Sequence, residues 1–192
     1  DDSGRSHIFA QLGSGTLVPW CKTLLSRYVL VNPLSLNKEA AVIKDNLGIE
    51  DSLERVYVDD RALVTTPYHK AVNRIREIVR GKGAHGSCGM GIGETVADWI
   101  KRPDGAIRIG DLRDRGLLRH KLMATSEALW DELKTMVIPV TKEVRDELYT
   151  FDYKVEKLLD HYDSFSSRAH ILIPGRVNEL VRKEANMVFE GA

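Results

Sequence analysis

Hydrophobic residues along the chain fall into short continuous runs separated by longer segments with helical spacing. The continuous runs YVLVN (28–32), RVYVD (55–59) and HILIP (170–174) are typical of strands buried in a parallel sheet. Apolar residues also dominate HIFAQL (7–12) and NMVFE (186–190), where we predict two further short strands. The pattern therefore predicts strands near both ends of the chain and in its first third.

Between these runs, apolar residues recur every three or four positions. This spacing predicts a helix in LSLNKEAAVIKDNLG that stops at Gly48, and another that starts at Pro67 and stops at Gly81. Further helices are predicted in TVADWIK (95–101), LLRHKLMATSEALWDELKTM (117–136), TKEVRDELYTFDYKVEKLLDHY (141–162, with Thr141 as N-cap) and VNELVRKEA (177–185). AIRIGDL (106–112) fits either a strand or an extended turn. Such alternation predicts an α/β fold with a mostly parallel sheet and flanking helices.

Composition narrows the functional classes. The 192 residues carry 28 basic and 28 acidic side chains, which gives no electrostatic basis for nucleic-acid binding. The sequence contains no apolar run of membrane-spanning length, so no membrane partner is expected. Cys21 and Cys88 are too few and too far apart for a disulfide framework or a zinc site, which favours a reducing compartment. We therefore expect a cytoplasmic protein.

The chain opens on Asp1 without a methionine, and it closes on the strand-like segment MVFEGA. We expect residues 1–192 to form a single domain that is incomplete at both ends, with a helical region over 116–162.

Six glycines lie within the fifteen residues RGKGAHGSCGMGIGE (80–94). Residues 81–86 match the dinucleotide fingerprint G-x-G-x-x-G, but a predicted helix precedes them where that fingerprint requires a strand. A Walker A loop is excluded because Lys82 is followed by Gly83 rather than by Ser or Thr. Two interpretations remain open, namely a flexible connection and a loop whose successive amides turn toward an anion.

Four segments in this order resemble the adenylosuccinate synthetase family, which joins IMP to aspartate at the expense of GTP. They are YVLVNPLSLNKEAAVI, TTPYHKAVNRIREIVRGKGAHGSCGMGIGE, AIRIGDL and NMVFEGA. The resemblance extends from residue 1 to residue 192. It implies an α/β fold and a C–N ligase of purine biosynthesis that uses IMP, L-aspartate, GTP as co-substrate and Mg²⁺, and that acts as a homodimer.

The resemblance also implies site residues. The family's phosphate loop falls on the glycine-rich segment, and an arginine of the family that reaches the IMP of the other subunit falls near residue 102. The implied IMP-binding residues are Gly86, Ser87, Cys88, Gly89 and Arg102. The spacing from this arginine to AIRIGDL is two residues longer than in the family, so Lys101 is the alternative.

The family's catalytic Asp and His belong to segments that are not found in this sequence, so no catalytic or metal-binding residue is assigned. Cys88 replaces a threonine of the family, Met90 an arginine and Glu94 a proline. These departures leave room for a related purine nucleotide as substrate. A catalytically inactive nucleotide-binding module and an interaction domain are the alternatives.

Overall fold

The computed structural model describes residues 7–83, 86–184 and 186–189. The strands are β1 (Thr23–Leu25), β2 (Val56–Asp59) and β3 (His170–Leu172). The helices are α1 (Pro33–Leu47), α2 (Pro67–Arg80), α3 (Ile92–Lys101), α4 (Arg115–Lys134), α5 (Lys142–Leu148), α6 (Val155–Ser166) and α7 (Pro174–Lys183). Short 3₁₀ helices occupy Ser14–Leu17, Gly81–Gly83, Ile109–Arg113 and Tyr149–Asp152.

The three strands form a parallel sheet in the order β1-β2-β3. In the centre of the register, Val58 of β2 pairs with Leu25 on one side and with Ile171 on the other. Val58 is fully buried, as expected for the middle strand of a parallel sheet. The predicted fold class, a mostly parallel sheet with flanking helices, is confirmed, as are the strands predicted in RVYVD and HILIP.

The strand predicted at residues 28–32 is wrong, because the first strand lies earlier, at β1. A side chain takes the place of a neighbouring strand beside this segment. The side-chain Nε2 of Gln11 donates to the Leu30 carbonyl at 2.8 Å, and its side-chain Oε1 accepts a hydrogen bond from the backbone amide of Asn32 at 2.8 Å. The Val31 amide donates to the Leu63 carbonyl at 2.8 Å, so backbone groups of this apolar run are satisfied by one backbone bond and one side chain rather than by a sheet.

The strand predicted in HIFAQL is also wrong, and a buried carboxylate explains why. Glu39 of α1 accepts hydrogen bonds from three successive amides, those of Ala10 at 2.7 Å, Gln11 at 2.9 Å and Leu12 at 3.2 Å. These donors converge on one anion, so the segment curls around Glu39 and cannot run straight beside a strand.

The helix predictions hold where local capping is strong. Asn32 caps α1 through the Ser35 amide and Gly48 ends it with a φ of 70°. Pro67 occupies the first turn of α2, and Gly81 closes that helix. The helices predicted around α3, α4 and α7 are likewise present, with ends that differ by a few residues.

Three predicted elements are altered. The single helix predicted over residues 141–162 is divided into α5, a 3₁₀ turn and α6, although Thr141 does cap α5 through the Val144 amide. AIRIGDL begins extended, with an antiparallel bridge between Arg108 and Leu63, and then forms the 3₁₀ helix Ile109–Arg113. The strand predicted in NMVFE is absent over residues 186–189, and residue 190 lies outside the described residues.

The chain divides into two compact units. A sheet unit comprises residues 1–63, 108–113 and 160–192, and a helical unit comprises residues 64–107 and 114–159. Fully buried side chains of α2 and α4 form the core of the helical unit, and they include Tyr68, Ile75, Leu118 and Leu122. None of the helices in the described parts of the chain combines the length and apolar character that crossing a membrane requires. All of the predicted site residues belong to the helical unit.

Candidate functional site

The glycine-rich loop connects α2 to α3. After Gly81, which ends α2 with a φ of 53°, its backbone depends on glycine at three further positions. Gly86, Gly89 and Gly91 have φ values of 66°, 65° and 79°. Residues with a Cβ rarely adopt this left-handed conformation, whereas glycine adopts it at little cost. The loop therefore follows a path that the glycines make possible. The element before it is the helix α2, whereas the dinucleotide fingerprint requires a strand at that place.

Gly91 is constrained by space as well as by φ. A Cβ on Gly91 would lie 2.7 Å from the Lys70 nitrogen and 2.8 Å from the His69 carbonyl carbon, which are distances shorter than any tolerated contact. Gly91 is the N-cap of α3 and makes no side-chain cap, so the first amides of that helix are not satisfied by a capping side chain. A helix start of this kind favours an anion through its exposed amides and its dipole.

Side chains from the second half of α2 hold the loop. The Ser87 hydroxyl donates to the Asn73 side-chain oxygen at 3.2 Å, and Arg74 Nε donates to the Gly89 carbonyl at 3.3 Å. A third contact, between Arg76 and the Glu94 carboxylate, reaches the first turn of α3. The loop is thus anchored at its middle and at its far end by one helix.

The loop amides also lie against an acidic group. Desolvation raises the pKa of the Glu77 carboxyl, but a hydrogen bond with Arg80 and hydrogen bonds with loop amides lower it by more, so the net pKa is below its ordinary value. The amides are those of Ser87 and Gly86. Amides that stabilise a carboxylate are able to stabilise a phosphate oxygen by the same charge-assisted contact.

The structure brings four of the five predicted site residues together. Gly86, Ser87, Cys88 and Gly89 are consecutive in the loop, and the Ser87 and Cys88 side chains are exposed. Arg102 lies at the opposite end of α3, where it is the C-cap residue.

Arg102 is paired within its own chain. Its Nε donates to the Asp98 carboxylate at 2.9 Å, and one Nη donates to the Ala124 carbonyl at 3.1 Å. Lys101, the alternative, donates to Glu132 at 2.6 Å. Both cations therefore stabilise the end of α3, and within the described part of the chain neither donates a hydrogen bond to loop residues 86–89.

Asp98 links Arg102 to the start of α2. His69 Nδ1 accepts the Thr66 amide at 3.1 Å, so we assign the ring proton to Nε2, which lies 3.3 Å from the Asp98 carboxylate. Burial raises the pKa of Asp98, and hydrogen bonds from His69 and Arg102 lower it by more, so the pKa of Asp98 lies below its ordinary value. The buried carboxylate is consequently ionised and satisfied from two sides.

Sequence reasoning missed the residues that hold the loop, namely Asn73, Arg74, Arg76 and Glu77. In the sequence these residues have the pattern of the solvated face of an amphipathic helix. Only their position, one to three turns before a glycine-rich loop, indicated that they could contact the loop. Among the described residues, no group of three or more His, Cys, Asp or Glu side chains is arranged to hold a metal ion.

The fold and the loop define an α/β protein with a glycine-rich segment suited to anion binding. The adenylosuccinate synthetase family model matches residues 2–192. The chain therefore belongs to the adenylosuccinate synthetase family.

Curated relatives with the name adenylosuccinate synthetase show the same match over part of their length. The protein of Francisella philomiragia is 28% identical over 99% of this chain and 42% of its own length. The protein of Arthroderma otae is 30% identical over 97% of this chain and 41% of its own length. The chain thus spans about two fifths of these relatives.

A solved structure shows the same fold. The fully ligated adenylosuccinate synthetase from Plasmodium falciparum matches 83% of this chain and 37% of its own chain, with a TM-score of 0.53 and 20% sequence identity.

We predict opposite effects for two neighbouring glycines. Gly91→Ala should lower the free energy of unfolding by at least about 2 kcal/mol. The new Cβ would collide with the backbone of residues 69 and 70, and alanine would be strained at a positive φ. The control is Gly93→Ala, which meets open space inside α3 and should raise the free energy of unfolding by about 0.5–1 kcal/mol. Urea unfolding measures both. Equal effects of the two substitutions would contradict the proposed constraint at Gly91.

Asp98 predicts a pH dependence of stability. Since its pKa is lowered in the folded state, its contribution is complete above the ordinary Asp pKa of about 3.9 and is lost as pH falls through the folded value. Asp98→Asn should cost about 1.5–3 kcal/mol at pH 7. The difference between wild type and variant should shrink between about pH 5 and pH 2. A difference that stays constant over this range would show that Asp98 is not ionised in the folded protein.

Proposed function

We propose that the protein to which this chain belongs ligates IMP and L-aspartate to adenylosuccinate, using GTP. The observation that carries this proposal is the match of the adenylosuccinate synthetase family model to residues 2–192. The whole activity needs more than this chain contains, since the chain spans about two fifths of the relatives' length. The part described here contributes substrate binding.

We propose that the glycine-rich loop binds the phosphate of IMP through Gly86, Ser87, Cys88 and Gly89. Three left-handed glycines leave the loop amides free of Cβ obstruction. The exposed Ser87 hydroxyl adds a donor, and Cys88 contributes chiefly its amide because a thiol is a weak donor. Support for an anion site comes from Glu77, because the Ser87 and Gly86 amides are among the groups that hold the pKa of its carboxyl below the ordinary value.

The proposed chemistry has two steps. IMP loses its N1 proton as its 6-oxygen attacks the γ-phosphorus of GTP and GDP leaves. The amine of aspartate then displaces inorganic phosphate from the 6-phosphoryl intermediate and loses a proton. Both steps depend on positioning and on stabilising phosphate charge. A loop that fixes the 5′-phosphate would orient the purine base for both attacks. No residue of this chain is assigned to proton transfer.

Mg²⁺ belongs to the proposed reaction as the ion that neutralises phosphate charge. The described residues include no cluster that fits it, so no residue of this chain is assigned to the ion.

We also propose a homodimer formed in part by α3, because the apolar face of this helix is exposed to solvent. Ile92, Trp99 and Ile100 lie on the exposed side and are 42%, 38% and 70% exposed. The buried side carries polar residues instead, namely Glu94, Thr95 and Asp98. An apolar stripe on an exposed helix supports coverage by another surface, and a second copy would also bring Arg102 to a partner's site.

The proposed location is the cytoplasm, in keeping with purine nucleotide chemistry. Cys21 and Cys88 are both free thiols, which suits a reducing compartment.

Calorimetry tests the proposal on the protein with its complete reading frame. IMP, GTP and aspartate are titrated separately and together, and adenylosuccinate formation is measured in parallel. Turnover supports the ligase. IMP binding without turnover would instead indicate an inactive nucleotide-binding module, and absence of binding would indicate an interaction domain. Titration with other purine monophosphates tests whether Cys88, Met90 and Glu94 accompany an altered substrate.

Ser87→Ala tests the loop directly. Loss of one charge-assisted hydrogen bond should weaken IMP binding by about tenfold or more. The matched control is Ser167→Ala, which removes an exposed hydroxyl bonded to the Ser164 carbonyl in the sheet unit. Unchanged IMP affinity in Ser87→Ala would assign this hydroxyl to holding the loop through Asn73.

Arg102 is tested by complementation between subunits. We propose that it reaches the phosphate bound by the partner subunit, so Arg102→Leu and Ser87→Ala proteins should each bind IMP weakly. When the two proteins are mixed, heterodimers contain one intact composite site, and part of the binding should return. Lys101→Leu, mixed in the same way, tests the alternative residue. No recovery despite measured subunit exchange would refute the role in trans.

A further inference from the structure

Arg76 joins the two helices on either side of the glycine-rich loop and also contacts α4. One Nη of Arg76 donates to the Glu94 carboxylate in the first turn of α3. The other Nη donates to Glu132 of α4 at 2.6 Å. Lys101 Nζ donates to the second oxygen of Glu132, also at 2.6 Å. The cluster contains two cations and two carboxylates, so its formal charges balance.

The burial of Glu94 makes its pairing with Arg76 important. Glu94 is 8% exposed and lies on the inner side of α3, and a buried carboxylate is unfavourable unless it is paired. The planar guanidinium of Arg76 can satisfy two carboxylates at once because its donors form a rigid fork. A lysine at this position would offer one ammonium group in place of that fork.

The pair spans the loop. Arg76 lies one turn before the end of α2, and Glu94 is the third residue of α3, so their contact closes a segment that contains Gly86, Ser87 and Gly89. Fixing both ends of a loop reduces the number of conformations it loses when a ligand binds.

Two other hydrogen bonds between α2 side chains and the loop are weaker by their chemistry. The Ser87 hydroxyl and Asn73 form a neutral hydrogen bond at 3.2 Å. The bond from Arg74 to Gly89 is 3.3 Å long, and the Arg74 side chain is 46% exposed. The contact between Arg76 and Glu94 combines opposite charges with burial.

We infer that Arg76 and Glu94 form a clasp that holds the glycine-rich loop in the conformation that receives a nucleotide phosphate. Arg76 is a positioning residue, since it acts on the phosphate through the backbone of the loop. The inference rests on the proposed function for the identity of the ligand. The state of the loop itself can be measured without any ligand.

The test is Glu94→Gln, which preserves shape and removes the charge that faces Arg76. In the ligand-free protein, hydrogen exchange of amides 86–93 should become at least about tenfold faster, because the far end of the loop is released. Calorimetry with IMP should show binding weakened by about tenfold, because the loop must then be ordered on binding. Arg76→Lys, which keeps the charge and loses the fork, should change both readouts in the same direction.

Glu132→Gln is the matched control. It removes the charge of the other partner of Arg76 and leaves the contact with Glu94, so exchange of amides 86–93 and IMP affinity should each change by less than about threefold. A control that matched Glu94→Gln in both readouts would overturn the clasp, since the effect would then belong to the packing of the three helices.

The direction in which Glu94→Gln changes IMP affinity distinguishes a clasp between Arg76 and Glu94 from electrostatic repulsion between Glu94 and the phosphate. If Glu94 acted only as a negative charge near the phosphate, Glu94→Gln would tighten IMP binding and leave hydrogen exchange unchanged, and the inference would be wrong. If the wild-type protein fails to bind IMP while Glu94→Gln still accelerates exchange, the clasp stands and the proposed ligand is refuted. If the wild-type protein binds IMP and Glu94→Gln alters neither readout, the clasp is refuted and the proposed ligand stands.

Discussion

Helix α3 can begin beside α2 only because residue 91 has no side chain. A Cβ at this position would lie 2.7 Å from the Lys70 nitrogen, and the φ of 79° would strain any residue other than glycine. This close approach brings the first turn of α2 within reach of the inner side of α3. Thr95 then bonds to Thr65 at 3.0 Å, and Asp98 approaches His69. The start of α3 beside α2 therefore depends on the absence of a methyl group at residue 91.

Close contact between α2 and α3 also explains why the inner side of α3 is polar. Backbones that approach closely leave little room for large apolar side chains, while short polar groups can bond across the gap. Each inner polar side chain has a partner on the neighbouring segment: Thr95 bonds to Thr65, Asp98 to His69 and Glu94 to Arg76. The apolar residues of α3 consequently lie on its outer side, and this distribution is the observation behind the proposed dimer contact.

The sequence correctly predicted helix ends that are determined by the backbone preferences of a single residue. Pro67, Gly48 and Gly81 mark helix ends through their own backbone preferences, and the predicted helices end there. Glycine at positions 86, 89 and 91 likewise indicated an unusual backbone path.

The wrong strand predictions at residues 7–12 and 28–32 arise where one side chain satisfies a distant backbone. Gln11 pairs with residues 30 and 32, and Glu39 gathers three amides of residues 10–12, so two apolar runs need no neighbouring strand. Such pairings join positions 19 to 29 residues apart, and periodicity carries no information about them. The residues that hold the loop escaped for a related reason, since Arg76 is indistinguishable in sequence from a solvated helix residue until Glu94 is placed against it.

The departures from the family at positions 88, 90 and 94 affect side chains, whereas the proposed anion site depends mainly on backbone. Left-handed φ values at Gly86, Gly89 and Gly91 orient the amides whatever side chains stand between them. Glu94 adds a carboxylate close to this site, but Arg76 neutralises it and uses it to anchor α3. The loop can thus tolerate an acidic residue where the family has proline, because the acid is directed toward α2 and its charge is already balanced. In the proposed site, changes of this kind would leave phosphate binding to the backbone and allow the surrounding side chains to select the rest of the nucleotide.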